Sequence, residues 1–182
     1  MATTSNSEED IACLKSYIKS YPDFPIPGIL YRDIFSVLKS NDGLQLLNKI
    51  LKNYAVELNG KIDCVAMLEA RGFLLGTLMA VHLNVPCVPI RKKGKLPGRV
   101  EQLEYTLEYG KDVLEVQLDG IQAGQRVLII DDLLATGGTL KAAIELLQKA
   151  GAQATQALVV IELCDLEGRK KVDIPVKSFV QY

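Results

Sequence analysis

Thirteen consecutive residues, VLIIDDLLATGGT (Val127 to Thr139), carry the densest chemistry in the chain. The apolar run Val127 to Ile130 reads as a buried strand that stops at two adjacent carboxylates, Asp131 and Asp132. A helix is expected to begin after Ala135, Thr136, Gly137, Gly138 and Thr139. Glycines let successive backbone N–H groups turn toward one point, threonine hydroxyls add donors, and a helix N-terminus supplies partial positive charge, so a phosphate monoester fits there. Adjacent carboxylates accept hydrogen bonds from a vicinal diol. A phosphate and a diol close together on one loop describe a ribose 5-phosphate. The blander reading, an acidic turn followed by a helix cap, needs the whole string to arise by accident between a strand and a helix. The patterns G-x-x-x-x-G-K-[ST] and G-x-G-x-x-G are absent, so nucleotide triphosphatases and dinucleotide dehydrogenases lose their main support.

The elements that must position this loop follow from apolar spacing. Ser7 and Asp10 are spaced as a capping box, and Ile11, Leu14, Ile18 and Tyr21 then predict a first helix ending near Tyr21. Three prolines and a glycine in Pro22 to Gly28 forbid helix and interior strand, which leaves an ordered loop or a tail. Leu44 to Leu58 predicts a second helix, Ile62 to Leu68 a buried strand running into Glu69-Ala70-Arg71-Gly72, and Phe73 to Leu83 a third helix. Val85 to Ile90 is a short strand, followed by the basic, glycine- and proline-broken RKKGKLPGR, a mobile loop by composition. Glu104 to Glu108 and Leu114 to Leu118 alternate in polarity on either side of Tyr109-Gly110-Lys111, as in a hairpin. Helix Leu140 to Lys149, closed at Gly151, and strand Ala157 to Leu163 complete a βαβ unit. Such alternation predicts an α/β fold: an open, mostly parallel twisted sheet with helices on both faces and its ligand site at the carboxyl ends of the strands. The loops after Leu68, Ile90 and Ile130 are then expected to meet.

Bulk properties narrow the function further. A chain of 182 residues with 48% hydrophobic and 24% charged residues fits one globular domain. Its net charge of −1 gives no global field to hold nucleic acid or a lipid surface, so any anion must be held locally. The start MATTSNSEED lacks the features of a secretory signal, and the most apolar stretch, Phe73 to Val85, is too short and too broken to span a bilayer, so a cytoplasmic location is expected. Cys13, Cys64, Cys87 and Cys164 form no C-x-x-C pair and read as buried thiols of a reducing compartment. The single histidine, His82, falls in a helical pattern and argues against a histidine-rich zinc site or a histidine triad.

At VLIIDDLLATGGT the chain resembles the type I phosphoribosyltransferases, whose hallmark is this strand, acidic pair and T-G-G-T loop. FPIPGILYRD (Phe24 to Asp33), EARGFLLG (Glu69 to Gly76), IRKKGKLPG (Ile90 to Gly98), LEYGK (Leu107 to Lys111) and the ending SFVQY are similar, in the same order, to segments of the adenine-using members of that family. Glu69 and Ala70 depart from the Asp-Ser expected before Arg71. The resemblance implies the type I fold over residues 1–182, with a small N-terminal hood (1–35) and a mobile lid loop (93–105). It implies transfer of the phosphoribosyl group of 5-phosphoribosyl 1-pyrophosphate to N9 of adenine, giving AMP and pyrophosphate with Mg2+ held mainly through the substrate.

Positive charge for the departing pyrophosphate is then expected from Arg71, Arg91, Lys92 and Lys95. On charge alone the basic loop reads equally well as a solvated surface run. The resemblance sends Arg91 to a neighbouring subunit's site, which requires a homodimer. It makes Glu108 the catalytic carboxylate beside the base, Tyr109 a residue that helps close the lid, and Leu30, Tyr31, Arg32 and Leu163 the adenine-binding residues. Without it, Glu108 is an exposed strand carboxylate. Two alternatives stay open: a phosphoribosyltransferase for another base, and a regulator that binds phosphoribosyl pyrophosphate without catalysing transfer.

Overall fold

The computed structural model of the protein describes residues 7–107 and 110–182, which fall into two compact units divided after Glu57. In the first unit, helix α1 (Glu8–Tyr17) starts where Ser7 Oγ accepts the Asp10 N–H at 3.0 Å. Three acidic residues in its first turn complement the helix dipole. The helix ends at Tyr17 rather than near Tyr21: Ile18 turns to an extended conformation, and Lys19 donates its N–H to Ser36 Oγ at 2.9 Å. Lys19–Tyr21 is instead strand β1, paired antiparallel with β2 (Tyr31–Asp33). Ile18 is buried in this arrangement as it would be in a helix, which is why apolar spacing alone extended the helix too far. The Pro22 to Gly28 segment is an ordered loop, in which Asp23 accepts the Gly28 N–H at 2.8 Å and Phe24 meets the edge of Tyr31 at 5.0 Å. Short helix α2 (Phe35–Leu38), which the sequence pattern does not predict, leads into α3 (Asn41–Glu57). Leu14, Val37, Leu47, Ile50 and Leu51 form the buried centre of this unit.

The second unit is a seven-stranded sheet built from β3 (Cys64–Leu68), β4 (Cys87–Lys92), β5 (Val100–Leu107), β6 (Gly110–Gln117), β7 (Arg126–Leu134), β8 (Gln153–Glu162) and β9 (Val176–Gln181). Its order is β5-β6-β4-β3-β7-β8-β9, parallel from β4 to β9 with an antiparallel β5–β6 hairpin at one edge. Helices α4 (Arg71–Leu83) and α5 (Gly138–Lys149) are the crossovers that parallel neighbours require. On the α5 side, Cys64, Ala66, Leu68, Val127 and Ile129 join Leu140, Ala143 and Leu147 in one core. Met67, on the opposite pleat of β3, packs against Gly76 of α4, where a Cβ would collide with the methionine side chain. The sheet is therefore covered on both faces, as the βαβ pattern predicts.

Several expectations are corrected. Strand β7 does not stop at the carboxylates but runs through them to Leu134, because Asp131 and Leu133 pair with Val159 and Ile161 of β8. Helix α5 starts at Gly138, two residues before the expected Leu140. Strand β9 and the 3-10 turns Cys164–Leu166 and Gly168–Lys171 have no counterpart in the pattern reading. Only the 93–99 part of the expected lid is loop, since Val100 to Tyr105 belongs to β5 and pairs with Asp112 to Gln117. Of the four thiols only Cys64 is buried, and that burial pushes its pKa up to about 11, whereas Cys13 and Cys164 are exposed and Cys87 is half-buried.

Candidate active site

Pairing registers bring the carboxyl ends of the central strands level: Leu68 lies beside Ile90, and Met67 beside Ile130. At that edge opens a cavity of about 320 Å³, the size of a small-molecule site. One wall is the loop Ala135 to Thr139 with the first turn of α5, and a second is the acidic pair. Glu69 and Arg71 after β3 form a third wall, and Lys92, Tyr105 and Asp112 close it from the hairpin side.

The loop has the form an anion requires. Gly137 is the N-cap of α5 at φ +80°, a conformation glycine adopts without the penalty of a Cβ. No side chain caps the helix and no acidic residue occupies its first turn, so the free N–H groups and positive dipole end face the cavity edge. Thr139 bonds to the hydroxyl of Tyr105, whose pKa is raised chiefly by burial.

Asp131 and Asp132 differ sharply although adjacent. Asp132 is buried and accepts from Arg71 Nε at 2.5 Å. Asp131 accepts the Asp132 N–H at 2.8 Å, and burial together with the Asp132 charge pushes its carboxyl well above the usual carboxylate range. One carboxylate is thus committed to orienting Arg71, while the other is poised to gain from a cation or hydroxyl donor entering the cavity.

The four cations expected around pyrophosphate separate into two pairs. Arg71 and Lys92 line the cavity, Lys92 bridging to Asp112 at 2.9 Å, a contact that raises its pKa. Arg91 and Lys95 instead converge on Glu69: Arg91 Nε lies 3.2 Å from Oε2, and Lys95 Nζ lies 2.5 Å from Oε1. Burial would raise the Glu69 pKa, but bonds from Lys95 and Arg91 and the Lys92 N–H hold it down to about 2. Close packing of the wall depends on Gly72, where a Cβ would lie 2.6 Å from the Ile130 carbonyl oxygen.

The 93–99 loop is tied at its base. Buried Glu115 accepts the N–H groups of Lys95 and Leu96, both at 2.9 Å, and Gln102 Nε2 at 3.2 Å. Gly94 and Gly98 both adopt positive φ there. Glu108 and Tyr109 lie outside the described residues. Leu30, Tyr31 and Arg32 belong to the first unit, with Arg32 Nη1 2.5 Å from Ser20 Oγ, and Leu163 follows β8 in the second. Among the described residues no cluster of three histidine, cysteine, aspartate or glutamate side chains could hold a metal ion, and no helix is long and apolar enough to cross a membrane.

A family model, the phosphoribosyl transferase domain, matches residues 36–181. An adenine phosphoribosyltransferase from Mastomys natalensis is 47% identical over 178 residues, covering 97% of this chain and 99% of the relative. The chain belongs to the adenine phosphoribosyltransferase family. Two solved family members share its fold. The adenine phosphoribosyltransferase of Saccharomyces cerevisiae, complexed with D-2,5-dideoxy-2,5-imino-altritol 1,6-bisphosphate and adenine, is 39% identical with a TM-score of 0.90, over 96% of this chain and 100% of that one. The Trypanosoma brucei enzyme, in complex with AMP, pyrophosphate and ribose-5-phosphate, is 25% identical with a TM-score of 0.86, over 97% and 82% respectively.

Sequence reasoning missed several cavity residues of this phosphoribosyltransferase. The sequence places Tyr105 at the end of a lid, whereas the β5–β6 register puts it opposite Asp112 within the sheet. Asp112 carries no motif of its own, and only the antiparallel pairing of β6 with β4 brings it to Lys92.

Proposed function

We propose that the protein catalyses transfer of the phosphoribosyl group of 5-phosphoribosyl 1-pyrophosphate to N9 of adenine, giving AMP and pyrophosphate. The observation that carries this reading is the cavity itself, where an uncapped helix N-terminus, a carboxylate pair and two cations meet at one sheet edge. The substrate's 5-phosphate rests on Thr136, Gly137, Gly138 and Thr139, with Ala135 completing the turn, and its ribose hydroxyls donate to Asp131 and Asp132. Binding a diol fits the raised Asp131 pKa, since hydroxyl donors favour the ionised form that burial disfavours.

As the C1–oxygen bond to pyrophosphate breaks, negative charge grows on the leaving group and positive charge on the ribose. Arg71 and Lys92 meet the first. Arg91 and Lys95 are held in reserve by Glu69, Lys95 for this site's pyrophosphate and Arg91 for that of a neighbouring subunit, and a pyrophosphate competes with the carboxylate for each. The new bond forms from N9 to C1, and N9 gives up its proton. Glu108, assigned by family resemblance, stabilises the developing positive charge or exchanges that proton. The cavity's hard oxygen donors, the carboxylates of Asp131 and Asp132, suit Mg2+ carried by the substrate and its water, which would neutralise part of the pyrophosphate charge.

The base is assigned to Leu30, Tyr31, Arg32 and Leu163, with Tyr31 offering an aromatic face and backbone groups reading the amino donor and N1 acceptor of adenine. Support comes from the Saccharomyces cerevisiae relative, solved in complex with an imino-altritol bisphosphate and adenine. The 93–99 loop, with Tyr109, acts as the lid that excludes water, which would otherwise capture the oxocarbenium-like ribose. A cytoplasmic homodimer, in which Arg91 serves the partner subunit's site, completes the reading.

The test is base competition. Labelled adenine, phosphoribosyl pyrophosphate and Mg2+ yield AMP, and a hundredfold excess of hypoxanthine leaves the rate within twofold, because a site built for an amino donor rejects a carbonyl by ~10⁴-fold or more. Strong inhibition by hypoxanthine would point to another base, and absence of AMP despite tight substrate binding would leave a non-catalytic binder.

A further inference from the structure

The phosphate loop does not hold its shape alone. Behind it lies the segment that follows β8, and the two backbones meet without side chains between them. A Cβ on Gly137 would strike the carbonyl group of Gly168, and a Cβ on Gly168 would strike the Ala135 carbonyl oxygen and lie 2.8 Å from the Gly137 nitrogen. Gly168 is buried although its neighbours Glu167 and Arg169 are exposed. No positive φ demands glycine at 168, so nothing but the loop's proximity excludes a larger residue.

Both ends of this backing segment are tied down. Leu163 donates its N–H to the Leu134 carbonyl at 2.9 Å, one residue before the loop begins. At the other end Arg169 grips buried Glu162 with two bonds, Nε to Oε1 at 2.9 Å and Nη2 to Oε2 at 2.5 Å, and donates through Nη1 to the Val176 carbonyl. Ser178 and Gln181 of β9 also donate to Glu162 Oε2. A bidentate guanidinium–carboxylate pair fixes orientation as well as distance, which a lysine cannot do.

We propose that Gly168 is a positioning residue for phosphoribosyl binding, set in place by the Arg169–Glu162 pair, so that the segment 163–171 moulds the loop Ala135 to Gly137 into its anion-binding form. This rests on the reading that the loop holds the 5-phosphate. Displacing the loop by about an ångström is enough to spoil pre-organised binding.

The experiment compares four purified full-length variants by titration with ribose 5-phosphate and by steady-state kinetics. Gly168→Ala is expected to weaken ribose 5-phosphate at least tenfold while the KM for adenine at saturating donor stays within twofold. Gly151→Ala, strained by its positive φ but clear of the site, is expected to lower the melting temperature with ribose 5-phosphate affinity unchanged. Arg169→Lys keeps the charge but loses the fork, and a three- to tenfold weakening is expected. Thr136→Asp places a carboxylate in the loop and should abolish binding if the phosphate sits there. Wild-type affinity in Gly168→Ala with Thr136→Asp defective would overturn the inference alone, and wild-type affinity in Thr136→Asp would overturn the loop assignment beneath it. A parallel loss for both substrates in Gly168→Ala would also refute the positioning role. Should Gly168→Ala fail to fold, Arg169→Lys decides, and unchanged affinity there refutes the proposal.

Discussion

Replacing Glu115 with glutamine removes a buried charge from the base of the 93–99 loop while keeping the side chain's shape. In the native protein its Oε1 receives the N–H groups of Lys95 and Leu96 at 2.9 Å, and burial, which opposes the charge, is outweighed by the N–H groups of Leu96, Gly94 and Lys95, so the carboxyl titrates below its usual range. Hydrogen bonds to a charged acceptor contribute roughly 1.5–3 kcal/mol each against about 1 kcal/mol for neutral ones. Two such bonds weakened, less the relief of not burying a charge, give a net loss of about 1.5 kcal/mol. Hydrogen–deuterium exchange at Lys95 and Leu96 should then accelerate about tenfold if exchange proceeds through local opening. If the loss is felt globally, the melting temperature falls by roughly 3–6 °C. Amides of Leu103 and Leu114, paired within the hairpin, should change far less. Unchanged exchange at Lys95 and Leu96, or an equal rise throughout the hairpin, would refute the idea that Glu115 holds the loop.

Three further outcomes are expected. Asp131→Asn with Asp132→Asn weakens ribose 5-phosphate in a calorimetric titration and releases Arg71 from its ion pair; unchanged affinity would sink the diol assignment. Glu108→Gln lowers kcat more than it alters substrate binding, and a change in KM alone would contradict a catalytic role. The third concerns acid. Arg169 holds the Glu162 carboxyl down to about 2, well below the usual carboxylate range. Because the folded value is depressed, the stability it adds is present above the unfolded pKa and is lost as pH falls from about 5 toward 2, on the order of 3 kcal/mol in all. Glu162→Gln should flatten the wild-type fall in unfolding free energy across that window, and parallel curves would count against the assignment.

What the sequence disclosed, and what it hid, follows from the range of the interactions. Strand β3 and the core of β7 are continuous apolar runs bounded by charged or glycine-containing loops, so their burial on both faces was readable. The T-G-G-T turn announced itself because glycine and threonine at those spacings serve a backbone purpose. Strand β1 is exposed throughout and β2 passes from half-buried to buried, so three residues each leave no alternation to detect. Glu115 sits between Leu114 and Val116 and reads as an outward carboxylate, yet it is buried because the 93–99 loop folds over it. Gly168 is invisible for a similar reason: its partner, Gly137, lies far away in sequence, and backbone packed on backbone leaves no side-chain pattern. The division of the basic residues, Lys92 to the cavity and Arg91 to Glu69, depends on strand pleat and could not be read from a run of charges.

The central claim is that a phosphoribosyl group sits with its phosphate on the Thr136 to Thr139 loop. Amide chemical shifts recorded during titration with AMP test it most directly. Large shifts and slowed exchange at Gly137, Gly138 and Thr139, saturating together with one affinity, are predicted. Shifts confined to other parts of the chain, with those three amides unmoved at saturation, would contradict it.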